Sequence, residues 1–373
     1  MKTNLSGMRK NKMLALIELR ERIGPQIWLE GPKTVVLDIS GVELFWRFPL
    51  LSGREKMRIG FADITARPEL GTVLLSFSPD GVWDEKEVVA KASEAARKLR
   101  SGIDPATVTF VAYSYPRVAV RFPDPKGDLH VDAFSLASVA TGGFGGHGAP
   151  LFSALWSPLA ATPFTERYRN RYMQRLKDLS GIHAMQQARP GREPEPAAKT
   201  TYKTIPHFPY HKVITCVWCV PACIQMILSY YRYEYDQISL AETLGLGTAE
   251  DPRILPCSRR EFKVVKSVGK MSNNALDVEM SACNYQFVFE FPPEIESSRP
   301  VVAFTGQHAV VVIGYSTTPV YGQDSIIGFH LFDPDPQGSK GYSQWITWVP
   351  DAFRLAFFTQ LRQVGLSLNV GVT

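Results

Sequence analysis

The most restrictive feature of the sequence is an apolar segment that runs from Pro221 to Tyr233. Apolar residues surround the helical circumference until the last turn, as in a helix that is buried at the centre of a domain. Pro221 stands at the predicted first turn, where its missing N–H costs no hydrogen bond. The segment therefore predicts a central helix around which the second half of the chain packs.

Further helices and a series of strands are predicted after the central helix. Ser239 with Glu242 forms a capping box that Gly245 closes, and Ser258 with Glu261 repeats the box. The remaining predicted elements are one helix and five strands: Asn273 to Asn284, then Gln286 to Phe291, Val301 to Phe304, Ala309 to Gly314, Gly328 to Phe332 and Gln344 to Val349. Helices followed by strands indicate an α+β fold.

The first half predicts a separate N-terminal α+β domain. A helix is expected from Asp84 to Ser101, because acidic residues lead it and Gly102 ends it. The predicted strands are Ile27 to Leu29, Thr34 to Ile39, Leu44 to Phe48, Thr72 to Phe77, Thr107 to Tyr113 and Arg117 to Phe122. Residues 184–203 are rich in Pro, Ala and charged residues, a composition typical of a linker. The predicted domains are therefore residues 1–183 and 204–373.

Composition narrows the class of protein. Hydrophobic residues make up 45% and charged residues 21%, as in ordinary globular proteins. A net charge of +5 does not by itself indicate nucleic-acid binding, and no apolar run approaches the ~18 residues of a membrane helix. Met1 to Ile23 predicts an amphipathic helix and not a signal peptide, since no small-residue cleavage site is present. The odd number of cysteines, five, then favours reduced thiols and a cytoplasmic protein.

Two segments of the first half allow more than one interpretation. The glycine-rich stretch from Gly142 to Gly148 predicts a loop, and a phosphate-binding role is disfavoured because no Lys-Ser/Thr pair follows it. Thr165 to Leu179 predicts a strongly basic helix. Its charges fit a solvated helix face, and a docking surface for an acidic partner or nucleic acid is the alternative.

Three residues, Cys219, His308 and Asp333, are the candidates for nucleophilic catalysis. Cys219 precedes the central helix, so its thiolate would face the positive end of the helix dipole, an arrangement that activates a cysteine nucleophile. His308 stands at the start of a buried strand and is the candidate base. Asp333 ends the next strand and is the candidate group that orients the imidazole. Adjacent hairpin strands would bring His308 and Asp333 together.

Three stretches resemble motifs of the C39-like papain-fold cysteine peptidases, in the order Cys, His, Asp. They are Cys219-Val220-Pro221-Ala222-Cys223, then Gln307-His308-Ala309-Val310-Val311-Val312-Ile313-Gly314-Tyr315, and Phe332-Asp333-Pro334 with Gly341 and Trp345. The resemblance covers about Ile205 to Phe358. It implies a nucleophile helix packed on an antiparallel sheet, a catalytic triad, hydrolysis of a peptide or isopeptide bond, and a bacterial origin.

The chain departs from that family at two positions. Val220 follows the nucleophile where the family usually has glycine, and Val213 occupies the position of the family's oxyanion glutamine. The expected oxyanion hole therefore combines the Cys219 backbone N–H with a second donor. The candidates for oxyanion or substrate contacts are His211, Thr215, Trp218 and Gln307.

Other interpretations of these residues remain open. One alternative is that Cys219 is a buried structural thiol. Another is a zinc site, because cysteine and histidine are zinc ligands and Cys216, Cys219 and Cys223 follow His207 and His211 in sequence, although no second CxxC pair exists. We expect no metal and no cofactor. The expected partner is a protein or peptide substrate, with the N-terminal domain or the helix from Thr165 to Leu179 available for a protein partner. The rival functions are a catalytically weak binding module and a deamidase or transglutaminase-like effector.

Overall fold

The computed structural model describes residues 5–79, 81, 83–104, 107–113, 117–134, 136, 138–139, 170, 172–173, 176–177, 180–181, 201–215, 217–253, 255, 260–281, 287–305, 308–320, 323–334, 342–347 and 355–361. The described part of the first half contains two complete α-helices, a short 3₁₀ turn and a run of strands. They are α1 (Leu5–Ile23), β1 (Ile27–Leu29), β2 (Thr34–Leu37), β3 (Glu43–Ser52), β4 (Met57–Thr65), the 3₁₀ turn Pro68–Leu70, β5 (Leu74–Ser78), α2 (Glu85–Leu99), β6 (Thr109–Ala112), β7 (Val118–Phe122), β8 (Leu129–Asp132) and β9 (Ser138–Val139).

The second half begins with one strand, continues with helices and ends with strands. Its elements are β10 (Thr201–Thr204), α3 (Cys219–Tyr230), α4 (Gln237–Leu244), α5 (Arg260–Met271), β11 (Leu276–Ser281), α6 (Phe287–Glu296), β12 (Val301–Thr305), β13 (His308–Val320), β14 (Gln323–Asp333), β15 (Tyr342–Thr347) and β16 (Leu355–Leu361). This is the α+β class that the sequence predicts.

The strands of both halves join in one sheet. Its order is β11-β16-β12-β13-β14-β15-β5-β4-β3-β2-β6-β7-β8-β9, with β1 on β3 and β10 on β13. The halves meet where β15 pairs with β5 through Trp345 opposite Phe77 and Ile346 opposite Ser76. β10, at the end of the segment that the sequence assigns to a linker, pairs antiparallel with β13. The sheet therefore runs continuously from one half of the chain into the other.

The neighbours of α3 explain its composition. The helix packs on β12 and β13 and is also contacted by α4 and α5, so little of its surface faces water. Its buried residues are Val220, Pro221, Ala222, Cys223, Ile224, Met226, Ile227 and Leu228. Burial on nearly every side is what an all-round apolar helix requires. The helix begins at Cys219, two residues earlier than the predicted start at Pro221.

The helix caps follow the sequence in part. The Asp84 side chain accepts a hydrogen bond from the Glu87 backbone N–H, which confirms the acidic start of α2. α4 begins earlier than predicted, because Asp236 and not Ser239 is its N-cap and accepts from the Ser239 backbone N–H at 2.8 Å. Gly245 closes α4 in the left-handed conformation, as predicted. Ser258 lies outside the described residues.

Two predicted elements of the second half are wrong. The predicted helix from Asn273 to Asn284 contains β11, and the predicted strand from Gln286 to Phe291 lies largely in α6. β11 pairs with β16 along its whole length, a long-range contact that overrides local helical pattern. In α6 the buried residues Phe291 and Ile295 are four apart, which is the spacing of one helix face.

α1 closes the other end of the first half. It packs on β1 and β4 and buries Leu14, Ala15 and Leu19. Residues 170, 172–173 and 176–177 of the predicted basic helix are helical, and the Tyr172 hydroxyl donates to Asn11 Oδ1 on α1 at 2.9 Å. The remaining residues of that predicted helix and the whole glycine-rich stretch lie outside the described residues. In the part of the chain that is described, no helix combines the length and apolar character that spanning a membrane requires.

Gly314 is required where β10 crosses close to β13. A Cβ at this position would lie 2.6 Å from the Lys203 carbonyl oxygen and 3.0 Å from His330 Cβ. We expect Gly314→Ala to lower the free energy of unfolding by about 1–3 kcal/mol, because the neighbouring backbone must move. Urea unfolding measures this effect. Gly181→Ala is the control, since a Cβ there meets nothing within 4 Å; equal stability of the two variants would contradict the prediction.

Candidate active site

Cys219 occupies the first position of α3. The Ala222 backbone N–H bonds back to the Trp218 carbonyl at 3.1 Å, so the helical turn closes directly around the cysteine. The first backbone N–H groups of a helix have no intrahelical acceptor and carry the positive end of the dipole. Cys219 is half-buried, and its sulfur is not part of a disulfide. The predicted placement of the cysteine at a helix N-terminus is therefore observed.

His308 and Asp333 meet across the two neighbouring strands. His308 is the first residue of β13 and Asp333 is the last residue of β14, and these strands are antiparallel. His308 Nε2 lies 2.7 Å from Asp333 Oδ1, and both side chains are buried. Antiparallel pairing places the start of one strand beside the end of the next, which explains why residues 25 positions apart form this contact.

The side chain of Cys219 interacts with the imidazole of His308 and is one of the causes that raise the pKa of His308. Because Asp333 takes Nε2, the ring nitrogen left for the thiol is Nδ1. Burial alone lowers the pKa of His308, but the charge of Asp333 and the hydrogen bonds to Asp333 and Cys219 raise the pKa to about 9. The arrangement therefore favours an imidazolium next to the cysteine at neutral pH, which is the partner that a thiolate requires.

The loop before Cys219 is tied to the end of β14. The Tyr210 hydroxyl donates to the Asp333 carbonyl oxygen at 3.0 Å, and the Val213 backbone N–H donates to the Pro334 carbonyl at 2.8 Å. These bonds hold the segment that leads into Cys219 against the strand that carries Asp333.

The second cysteine of α3 is placed differently. Cys223 lies one turn after Cys219 and is fully buried. Burial, followed by the charges of Cys219 and Asp333, raises the pKa of the Cys223 thiol well above its ordinary value. Cys223 therefore stays protonated and acts as a small apolar core residue.

The four candidates for oxyanion or substrate contacts lie in different surroundings. Trp218 is fully buried and its indole Nε1 donates to the Leu246 carbonyl at 3.3 Å, so it is a core residue. His211 Nε2 contacts Ser229 Oγ at 2.9 Å, ten residues along α3 from the nucleophile and thus roughly 15 Å away along the helix axis. Thr215 lies in the loop before α3, but its hydroxyl is buried. Gln307 lies outside the described residues.

The zinc interpretation gains nothing from the described residues. No group of three or more His, Cys, Asp or Glu side chains in that part of the chain could hold a metal ion. His211 instead contacts Ser229, and burial lowers its pKa. Cys216 lies outside the described residues.

A buried polar cluster in the first half, which was not predicted from the sequence, affects the pKa of His308. Arg117 Nη2 lies 2.9 Å from Asp132 Oδ2, and Arg117 Nε lies 3.0 Å from the Tyr113 hydroxyl, which itself donates to Asp132. The positive charge of Arg117 lowers the pKa of His308, opposite to the effect of Asp333. Charged residues at the buried ends of otherwise apolar strands are the signal that points to such a cluster.

We expect the double variant Arg117→Met with Asp132→Asn to raise the pKa of His308 above its native value. The substitution removes the cation that opposes protonation and leaves no buried charge unpaired. Imidazole ¹⁵N NMR over pH 7 to 11, roughly spanning the titration, measures the shift. Arg121→Met is the matched control, because Arg121 lies on β7, which directly follows Arg117, and pairs with Asp128 at 2.5 Å. An unchanged or lowered pKa of His308 in the double variant contradicts the prediction.

Two solved structures resemble parts of the chain. The peptidase domain of Streptococcus ComA, a bi-functional ABC transporter involved in a quorum sensing pathway, is 16% identical; the match covers 42% of this chain and 100% of that chain, with a TM-score of 0.30. UfSP from C. elegans is 17% identical; the match covers 48% of this chain and only 37% of that chain, with a TM-score of 0.31. No curated protein sequence matches the chain.

The sequence pattern of one family matches the second half. The Peptidase_C39 like family is matched by residues 202–360. This range includes Cys219, His308 and Asp333. It also includes every element from β10 to β16, except the first residue of β10 and the last residue of β16. Residues 202–360, less than half of the chain, are therefore similar in sequence to a C39-like peptidase domain.

Proposed function

We propose that residues 202–360 act as a cysteine peptidase that hydrolyses a peptide or isopeptide bond through Cys219, His308 and Asp333. The observation that carries the proposal is the 2.7 Å contact between the His308 imidazole and the Asp333 carboxylate, together with the interaction with Cys219 that helps to raise the pKa of His308. A nucleophile, a base and an orienting group arranged in this order support acyl transfer.

The chemistry follows from the positions of these groups. The Cys219 thiolate adds its electron pair to the substrate carbonyl carbon, and the carbonyl oxygen becomes an oxyanion. The His308 imidazolium then donates its proton to the leaving amine nitrogen, and the C–N bond breaks to leave a thioester on Cys219. Water adds to the thioester while His308 takes a proton from it, and the C–S bond breaks to release the acid and restore the thiolate–imidazolium pair.

The oxyanion has to be stabilised without the glutamine that the family usually provides. Val213 occupies that position, and its side chain carries no hydrogen-bond donor. The N-terminus of α3 can provide backbone N–H groups and a positive dipole end beside Cys219. We therefore propose a slow enzyme, because loss of one oxyanion donor typically lowers the rate by ~10²–10³-fold.

A binding module without catalytic activity is the second candidate. The observation that favours it is the pair of departures at Val213 and Val220, which remove the usual oxyanion side chain and the usual small residue after the nucleophile. A deamidase or transglutaminase-like effector would use the same triad on a glutamine side chain. In each case we propose that the N-terminal half recognises the substrate or docks a partner, and that the protein works in the reducing cytoplasm.

Product analysis separates these functions. The full chain and its Cys219→Ala variant are incubated with a peptide mixture from a digested proteome, and the products are identified by mass spectrometry. New peptide termini that depend on Cys219 support the peptidase. A mass increase of about one unit on glutamine without new termini identifies a deamidase. No Cys219-dependent product, together with no Cys219-dependent labelling by iodoacetamide, would sink the enzyme proposal.

A further inference from the structure

A buried carboxamide on α4 holds the loop in front of the nucleophile. Gln237 is the first residue of α4 and its side chain is 5% exposed. Its Nε2 donates to the Lys212 carbonyl at 2.5 Å, and its Oε1 accepts from the Ile214 backbone N–H at 3.1 Å. One side chain therefore binds the backbone of this loop on both sides of Val213.

The same carboxamide connects the loop to the nucleophile helix. The second N–H of Gln237 Nε2 reaches Gln225 Oε1 on α3 at 3.0 Å, and Gln225 Nε2 donates to the Tyr235 carbonyl at 2.9 Å. Both donors and the acceptor of Gln237 are thus occupied, which determines a single orientation of the amide. A fully satisfied buried polar network of this kind holds its members in one arrangement.

The loop lies between the two catalytic elements. On one side it is bonded to the end of β14 through the Val213 N–H and the Pro334 carbonyl, next to Asp333. On the other side Gln237 ties it to α3, which begins at Cys219 five residues after Ile214. Gln237 therefore determines the conformation of the loop at Val213, which occupies the position of the family's oxyanion glutamine.

We propose that Gln237 is a positioning residue for acyl transfer at Cys219, because it holds in one conformation the Lys212–Ile214 backbone, which leads into Cys219 and is bonded beside Asp333, while the tetrahedral oxyanion forms. The inference rests on the proposed function. Gln237 acts through the loop and does not touch the reacting atoms. Displacement of a positioned group by about 1 Å is enough to lower a rate by ~10²-fold.

Two reactions of the same thiol separate this role from a general loss of structure. 4-Nitrophenyl acetate acylates Cys219 through a tetrahedral oxyanion, whereas iodoacetamide alkylates the thiolate by direct displacement and forms no oxyanion. We expect Gln237→Leu to lower the acylation rate by about 10–100-fold while the alkylation rate stays within about twofold of the native value. Gln237→Glu keeps an acceptor for the Ile214 N–H but turns an oxygen toward the Lys212 carbonyl and Gln225 Oε1, so its acylation rate should fall at least as far.

The control is a buried hydrogen bond away from the loop. The Ser272 hydroxyl donates to the Val268 carbonyl at 2.8 Å and accepts from the Leu276 N–H at 3.2 Å, both within its own turn. Ser272→Ala should lower the melting temperature without changing the ratio of the two rates. If Gln237→Leu also leaves that ratio unchanged, the inference is wrong. If the native chain shows no Cys219-dependent acylation at all, the proposed function fails instead.

Discussion

Replacing His308 with asparagine is expected to lower the rate of Cys219 acylation by 4-nitrophenyl acetate about 10³-fold at neutral pH. The imidazole is both the partner of the thiolate and the proton carrier, and asparagine can take neither role. General acid–base catalysis alone is worth ~10²–10⁴-fold, and loss of the ion pair removes thiolate in addition. A stopped-flow measurement of 4-nitrophenol release gives the rate directly.

His330 provides a matched control for this substitution. It lies on β14 in the same sheet, stacks on Trp345 with ring centroids 4.5 Å apart, and contacts Thr204 Oγ1 at 3.2 Å. Burial lowers the pKa of His330 to about 4, so it is neutral at the pH of the assay. His330→Asn should cost stability and leave the rate per folded molecule unchanged. A similar loss of rate in both variants would show that the effect of His308→Asn is not chemical.

Replacing Asp333 with asparagine is expected to lower acylation at neutral pH by about 10–10²-fold. The asparagine oxygen can still accept the bond from His308 Nε2, so the imidazole keeps its direction, but the negative charge is lost. Without that charge, burial dominates and the pKa of His308 falls from about 9. The imidazolium is then lost at lower pH, and the upper limb of the pH–rate profile moves down. A profile with an unchanged upper limb would refute the role of Asp333.

The same substitution changes how stability depends on pH. His308 has a folded pKa of about 9 against an ordinary value of 6.5, so its proton stabilises the fold fully below about pH 6.5. This contribution is lost as the pH rises through about 9. Urea unfolding of the native chain and the Asp333→Asn variant at both ends of that range should show a smaller pH-dependent loss in the variant. An equal loss in both proteins would contradict the assigned cause of the shift.

The local sequence pattern predicted those elements whose burial is visible along the chain. α2 has acidic residues at its start and an apolar stripe, and its bounds lie within two residues of the prediction. The strands that flank His308 are runs of consecutive apolar residues, and β12, β13 and β14 were all expected. β11 and α6 were not predicted, because their sequences suit either state and pairing with β16 selects strand for the first of them.

The residues of the candidate site also differ in whether the sequence predicted them. The chemistry of Cys219, His308 and Asp333 was predicted from residue type and position, since a helix N-terminus and two adjacent strand ends restrict where their side chains can lie. Arg117 and Gln237 were not predicted as parts of the site, because their partners are distant in sequence: Arg117 acts on His308 from the other half of the chain, and Gln237 binds a loop 23 to 25 residues before it. The domain boundaries remain predictions.

The amino-acid sequence by itself determined the α+β class and the central helix, and it predicted Cys219, His308 and Asp333 as nucleophile, base and orienting carboxylate. These depend on local pattern, since an all-round apolar segment can only be buried and a residue just before a helix faces free N–H groups. Only the tertiary structure decided that β15 joins β5 into one sheet, that Arg117 opposes the protonation of His308, and that Gln237 holds the loop before Cys219. Contacts between distant segments depend on which surfaces meet in the folded chain, and no local pattern contains that information.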